Sequence, residues 1–143
     1  MDKELTDELG VQIEKGLSLK LLSKSDARKI TDLVADRFIE DTSLVWWWEG
    51  LKQTPQEIHY GDEVGWDHIP ALLKNISQQI YFIPTDDEPN PWPIYSGTCE
   101  EVIGLLREMW RFEYILVGRN LDWLVFDTHH NTLVIVGSIA TSA

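Results

Sequence analysis

The sequence predicts an α+β protein, with helices packed on an antiparallel sheet of five or six strands that ends in a C-terminal β-meander. Three observations predict it. Phe112–Val117, Leu121–Asp127 and Thr132–Gly137 are apolar runs separated by Gly118-Arg119-Asn120 and by Thr128 to Asn131, which read as turns. The first two runs are apolar at odd and even positions alike, as in a sheet centre covered on both sides. Upstream, stretches with helical spacing are interleaved with short strand-like runs, so consecutive strands pair antiparallel.

The elements follow in order. Residues 4–15 place Leu5, Leu9 and Ile13 on one helical stripe. Residues 25–39 do so with Ala27, Ile30, Val34 and Phe38, widened by Leu33, and Ser23 with Asp26 fits a capping box. Residues 44–49 are β-branched and aromatic and read as a strand that 57–60 could pair with, before Gly61-Asp62 breaks the run. Asp67 can cap a short helix reaching Asn75, with Pro70 in its first turn. Residues 79–83 read as a strand, Pro84 to Pro93 as a loop and 94–96 as a short strand. Thr98 followed by Glu101 is a second capping box, opening a helix from Cys99 to about Arg111 with Val102, Leu105, Leu106 and Met109 inward. The small polar tail, 138–143, is expected to fray.

The 143 residues fit one domain. A domain of this size buries roughly two-thirds of its unfolded surface and folds without a metal or disulfide. One cysteine, Cys99, excludes an internal disulfide and suits a reducing compartment. The acidic N-terminus lacks the apolar core of a signal peptide. The longest apolar run, Leu44 to Trp48, falls far short of the ~20 residues of a membrane span. A cytoplasmic protein, monomeric or weakly dimeric, is the expectation.

Charge is the unusual feature: 24 acids against 12 bases, a net of −12. Binding to nucleic acid or to an anionic membrane surface needs clustered Lys and Arg, so both partner classes are disfavoured. The excess is uneven. Residues 53–106 carry nine acids (Glu57, Asp62, Glu63, Asp67, Asp86, Asp87, Glu88, Glu100, Glu101) and one base, Lys74. Such a segment is either a solvated surface kept for solubility or a face that meets a basic partner.

Four groups of residues carry chemistry worth weighing. Asp127, His129 and His130 could bind a divalent metal or move protons. Adjacent strand residues point to opposite faces, so the histidines converge only if a turn redirects them. The plainer reading is a hairpin in which Asp127 and Asn131 satisfy local backbone groups. Asp86-Asp87-Glu88 could hold Ca²⁺ or Mg²⁺, but the EF-hand order and its glycine are absent, and a solvated or protein-contact loop fits better. Cys99 follows a helix cap, which lowers a thiol pKa, while Glu100 and Glu101 oppose it; a packing cysteine is the simpler assignment. Seven tryptophans include the run Trp46-Trp47-Trp48 and the proline-flanked Trp92. Most should be core, yet tryptophan is enriched at interface hot spots. Phosphate loops, the Gly-x-Ser-x-Gly elbow and basic–aromatic stripes are all missing from the sequence. Neither a catalytic residue nor a cofactor is therefore assigned.

Several segments carry a resemblance. They are Trp46-Trp47-Trp48-Glu49-x-Leu51, Trp92-Pro93-Ile94-Tyr95-Ser96-Gly97, Phe112–Val117, Trp123-Leu124 and Asp127-Thr128-His129-His130-Asn131-Thr132-Leu133. Over residues 44–137 the chain resembles a family of small, uncharacterised bacterial proteins similar to toxin-immunity proteins. The resemblance implies a biology and no mechanism. It makes the expected function neutralisation of a cognate toxin, a basic nuclease-like effector domain, through an acidic face. Asp62, Glu63, Asp67, Asp86, Asp87 and Glu88 would supply the field and Trp92 an anchor. The alternatives are a small metal-dependent enzyme centred on Asp127, His129 and His130, or an adaptor domain.

Overall fold

A computed structural model describes Glu8 and residues 19–74, 76, 79–86, 90–109 and 111–138. Its centre is a seven-stranded sheet in which every neighbouring pair is antiparallel, in the order β1-β4-β3-β5-β6-β7-β2. The strands are β1 (Lys20–Leu21), β2 (Gln56–His59), β3 (Ile80–Pro84), β4 (Tyr95–Gly97), β5 (Tyr114–Val117), β6 (Trp123–Thr128) and β7 (Thr132–Gly137). The helices are α1 (Lys24–Phe38), α2 (Ile69–Leu72) and α3 (Cys99–Arg107). The fold is α+β, with one strand more than the largest number expected, because the two-residue β1 adds to one edge.

The meander forms β5, β6 and β7, and apolar residues on both faces of its strands feed two cores. Tyr114, Leu116, Trp123, Val125, Leu133 and Ile135 pack on one side with Val102, Leu105 and Leu106 of α3 and Ile69 of α2. Ile115, Val117, Leu124, Phe126, Val134 and Val136 pack on the other with Ala27, Val34 and Phe38 of α1. This alternation is the period-2 rule of a pleated strand read twice.

Caps set the helix starts. Ser23 accepts the Asp26 N–H at 3.1 Å and opens α1. Thr98 and Glu101 form the full reciprocal box of α3, at 3.2 and 2.8 Å. Leu33 does not widen the buried stripe of α1; it is half exposed. α3 ends at Arg107 rather than near Arg111, with Glu108 as its C-cap and residues 111–113 outside any helix before β5; Met109 is still buried.

Two other expectations fail. Residues 44–49 are not a strand: bends lead into a 3₁₀ turn at Trp47–Glu49, closed by Glu49 N–H to Trp46 O and Gly50 N–H to Trp47 O. The turn lets Trp47 enter the α1-side core while Trp46 and Trp48 stack on each other, centroids 6.2 Å apart. β2 consequently pairs with β7, register Gln56↔Ile135 to His59↔Thr132. Asp67 does not cap a helix either. It sits in a 3₁₀ turn at Gly65–Asp67, and His68 precedes α2, which carries Pro70 in its first turn. The expected helix at 4–15 lies outside the described residues apart from Glu8, as does the tail beyond Ser138. No helix among the described residues is long and apolar enough to cross a membrane.

Candidate functional site at one end of the sheet

The register Pro84↔Tyr114↔Asp127, with Thr128 and His59 both opposite Thr132, brings four chain segments to one end of the sheet. These are Tyr60–Glu63 leaving β2, Thr85–Asp86 leaving β3, Arg111–Glu113 entering β5, and His129–Asn131 between β6 and β7. Two clusters of polar and aromatic side chains form there, on opposite faces.

The first lies on the α3 side. β6 alternation turns Asp127 to the same face as Trp123 and Val125, so its carboxylate is buried. The Tyr60 hydroxyl donates to Asp127 Oδ1 at 2.5 Å, and Arg111 donates to the Tyr60 oxygen at 2.5 Å and to Thr128 O at 3.1 Å. The guanidinium also lies over the Tyr60 ring, 5.3 Å from its centroid. The buried Tyr114 hydroxyl faces the same carboxylate and acts on it as a second donor. Gly65 abuts this carboxylate so closely that a Cβ would stand 2.3 Å from Oδ2.

Burial governs ionisation here. It pushes the Asp127 carboxyl above its ordinary range, against the lowering effect of Tyr60, Tyr114 and Arg111. It also raises Tyr60 and Tyr114, and the neighbouring Asp127 raises both further. A carboxylate and two phenols that hold their protons form a lock more readily than an acid–base pair. The lock joins the β2 exit to the end of β6 and fixes Tyr60, whose N–H bonds to Asn131 O at 3.0 Å and whose O accepts the Glu63 N–H at 3.0 Å.

The second cluster lies on the other face. His129 and His130 converge, ring centroids 4.1 Å apart. Trp46 stands 4.6 Å and Trp48 5.7 Å from His129, and Trp48 stands 5.5 Å from His130. Glu113, nearly buried, accepts the His129 backbone N–H at Oε2, 3.0 Å, and faces His129 Nδ1 from Oε1 at 3.3 Å. Asn131, in the left-handed region at φ 56°, closes the three-residue turn that redirects the histidines. The Thr128 hydroxyl satisfies that turn, accepting His130 N–H at 3.2 Å and donating to Thr132 O at 3.0 Å; Asp127 plays no part in it.

Asp127 therefore does not join His129 and His130. No group of three or more His, Cys, Asp or Glu side chains able to hold a metal ion occurs among the described residues. Asp62 and Glu63 are exposed, with Glu63 bonded to His68 Nε2 at 2.7 Å. Asp67 is exposed and 3.9 Å from Arg107. Asp86 is half-buried, its N–H bonded to Glu113 O at 3.0 Å; Asp87 and Glu88 lie outside the described residues. Trp92, the expected anchor, is 4% exposed and meets Trp47 edge-on at 4.8 Å, inside the α1-side core. Cys99 is half-buried, and burial with Glu100 beside it raises the thiol pKa, which suits packing rather than nucleophilic chemistry.

Sequence reasoning missed Tyr60, Arg111, Glu113 and Tyr114. One signal was present: Asp127 occupies an inward position of an otherwise apolar strand, and a charge there needs partners.

A family model matches residues 3–143, nearly the whole chain. The chain belongs to the Family of unknown function (DUF6756). The DUF6756 match reaches well beyond residues 44–137, and carries no activity with it. No curated protein and no solved structure matches the chain.

Proposed function

We propose that this DUF6756 chain is an immunity-type protein of a bacterial cytoplasm, which binds a basic toxin domain through the acidic end of its sheet and blocks it sterically. One observation carries the reading. Asp62 and Glu63 leave β2, Asp86 leaves β3, and both exits lie at the same end. The two strands are separated by β5, β6 and β7, a span on the order of 20 Å. That span fits within a standard interface of about 800 Å² per partner. Asp87 and Glu88 follow Asp86 in the sequence and extend the same acidic stretch. Complementary charge raises association rates from a neutral ~10⁵–10⁶ toward ~10⁸–10⁹ M⁻¹s⁻¹ at low salt, which serves a protein that must intercept a toxin.

The experiment pairs the chain with the C-terminal domain encoded beside it in its host and follows association by stopped flow at rising salt. The rate should fall steeply with salt, and Asp62→Asn, Glu63→Gln and Asp86→Asn combined should slow it at low salt. A rate indifferent both to salt and to the triple substitution overturns the reading.

A further inference from the structure

We propose that Glu113, Trp46 and Trp48 form a receptor for one arginine side chain of the partner, and that His129 is the placeholder that fills it in the free protein. The inference rests on the partner-binding reading above and deepens it.

The geometry is that of a cation site. A nearly buried carboxylate lies at the base, with a side chain 10% exposed, and two indoles rise beside it, stacked at an interplanar angle of 24°. Against the carboxylate stands the ring of His129, whose side chain is 36% exposed, with the His130 ring 4.1 Å from it and 5.5 Å from Trp48. The imidazole meets the indoles tilted, at 52° to Trp46 and 62° to Trp48, so it fills the space beside the carboxylate without the flat contact on an indole that a guanidinium can make while directing N–H groups at carboxylate oxygens. The hold on the ring is the weaker half of the arrangement. His129 Nδ1 is 3.3 Å from Glu113 Oε1, whereas the His129 backbone N–H holds Oε2 at 3.0 Å. The ring can therefore leave while the backbone keeps the carboxylate aimed. Arg supplies a second N–H and a permanent charge that a histidine lacks. Lysine, a strongly hydrated point charge, stacks less well.

The patch is open to a partner: Val45 and Glu49 flank the indoles and are exposed, as is His130. It also lies at the acidic end of the sheet, where field lines concentrate positive side chains. Arginine and tryptophan are the residue types that most often dominate protein interfaces, and they pair across them.

The test titrates the whole chain with N-acetyl-arginine amide and, separately, with its uncharged citrulline analogue, following the indole N–H signals of Trp46 and Trp48 by NMR. Arginine should shift both signals saturably and citrulline should not. His129→Ala, which clears the place, should bind the arginine probe several-fold tighter. Glu113→Gln and, as a variant that leaves the buried carboxylate alone, Trp46→Ala should each remove the saturable shift. Asp62→Asn with Glu63→Gln should leave it unchanged while slowing association with the toxin domain, so that failure of the receptor and failure of the acidic-face reading are told apart. Shifts that grow linearly with probe, that citrulline reproduces, or that vanish in His129→Ala overturn the proposal.

Discussion

Tyr60 and Asp127 stand 67 residues apart in sequence, and their side chains meet in a 2.5 Å hydrogen bond buried beneath the end of the sheet. The bond ties the edge strand β2 to the interior strand β6 through Tyr60, and Arg111 closes it from the segment that enters β5. Asp62 and Glu63 follow Tyr60 directly, and the Glu63 N–H bonds to Tyr60 O at 3.0 Å.

Tyr60→Phe tests the tie. The substitution keeps the ring and removes the hydroxyl that donates to Asp127 Oδ1 at 2.5 Å, leaving that buried oxygen without it. Leaving a buried acceptor unsatisfied costs about 1–3 kcal/mol. Chemical denaturation at neutral pH should show a loss in that range. Tyr60→Phe in an Asp127→Asn background should cost less, because the group left behind is no longer charged.

Asp127 makes stability depend on pH in a fixed direction. Its folded value lies above the ordinary 3.8, with burial as the main cause. The folded state therefore holds a proton that the unfolded state has released, and stability falls as pH rises through that interval. The contribution is fully present below 3.8 and is lost as pH rises through the raised folded value. Relative to Asp127→Asn, the native protein should gain stability as pH falls from neutral and level off below the unfolded value. Comparing the two proteins by denaturation across that range cancels the other carboxylates. A difference that is flat with pH, or that runs the other way, contradicts the assignment.

Gly65→Ala should destabilise the protein through Asp127, whose carboxyl atoms are the three nearest to the added Cβ. The added Cβ would meet Oδ2 at 2.3 Å and the carboxyl carbon at 2.7 Å, both closer than atoms can approach. Relief requires the carboxylate to move off its hydrogen bond, and overpacking of this kind costs about 1–3 kcal/mol. Asp127→Ala removes the obstructing atoms, so the double variant should be more stable than the two single losses add up to. Thermal melts of the four proteins in this cycle measure the coupling.

How far the molecule was legible follows from how local its determinants are. The meander was readable because three contiguous apolar runs and two turns specify it within about 25 residues of chain. The two-sided burial of β5 and β6 was readable because both parities of each strand are apolar. The caps at Ser23 and Thr98 were readable because each spans three residues. The tryptophan run was not. A short apolar run has no periodicity to separate a strand from a coil, and here Trp47 is buried in the core while Trp48 packs at its edge and, with Trp46, meets the histidines. Both clusters at the sheet end were legible only in part: Asp127, His129 and His130 stood out, but their partners did not, for a different reason. They join residues from separate strands, and their pairing depends on the register of β5 with β6 and of β2 with β7, which no local pattern encodes. The acids of the 53–106 segment were legible as residues but not as a place.

Trp92 separates packing from recognition most sharply. A proline-flanked tryptophan in an acidic loop has the composition of an interface anchor, yet its indole is enclosed and braced by Trp47. Trp92→Ala should cost about 3–5 kcal/mol of stability, as emptying an aromatic site in a core does. Binding to a toxin domain, measured where the variant is still folded, should change little. Asp62→Asn with Glu63→Gln should behave in reverse, within about 0.5 kcal/mol of native stability because both positions are exposed, and slower to associate at low salt. Denaturation curves and association rates on the same two proteins decide the matter. A Trp92→Ala protein of native stability that fails to bind would return the indole to the interface.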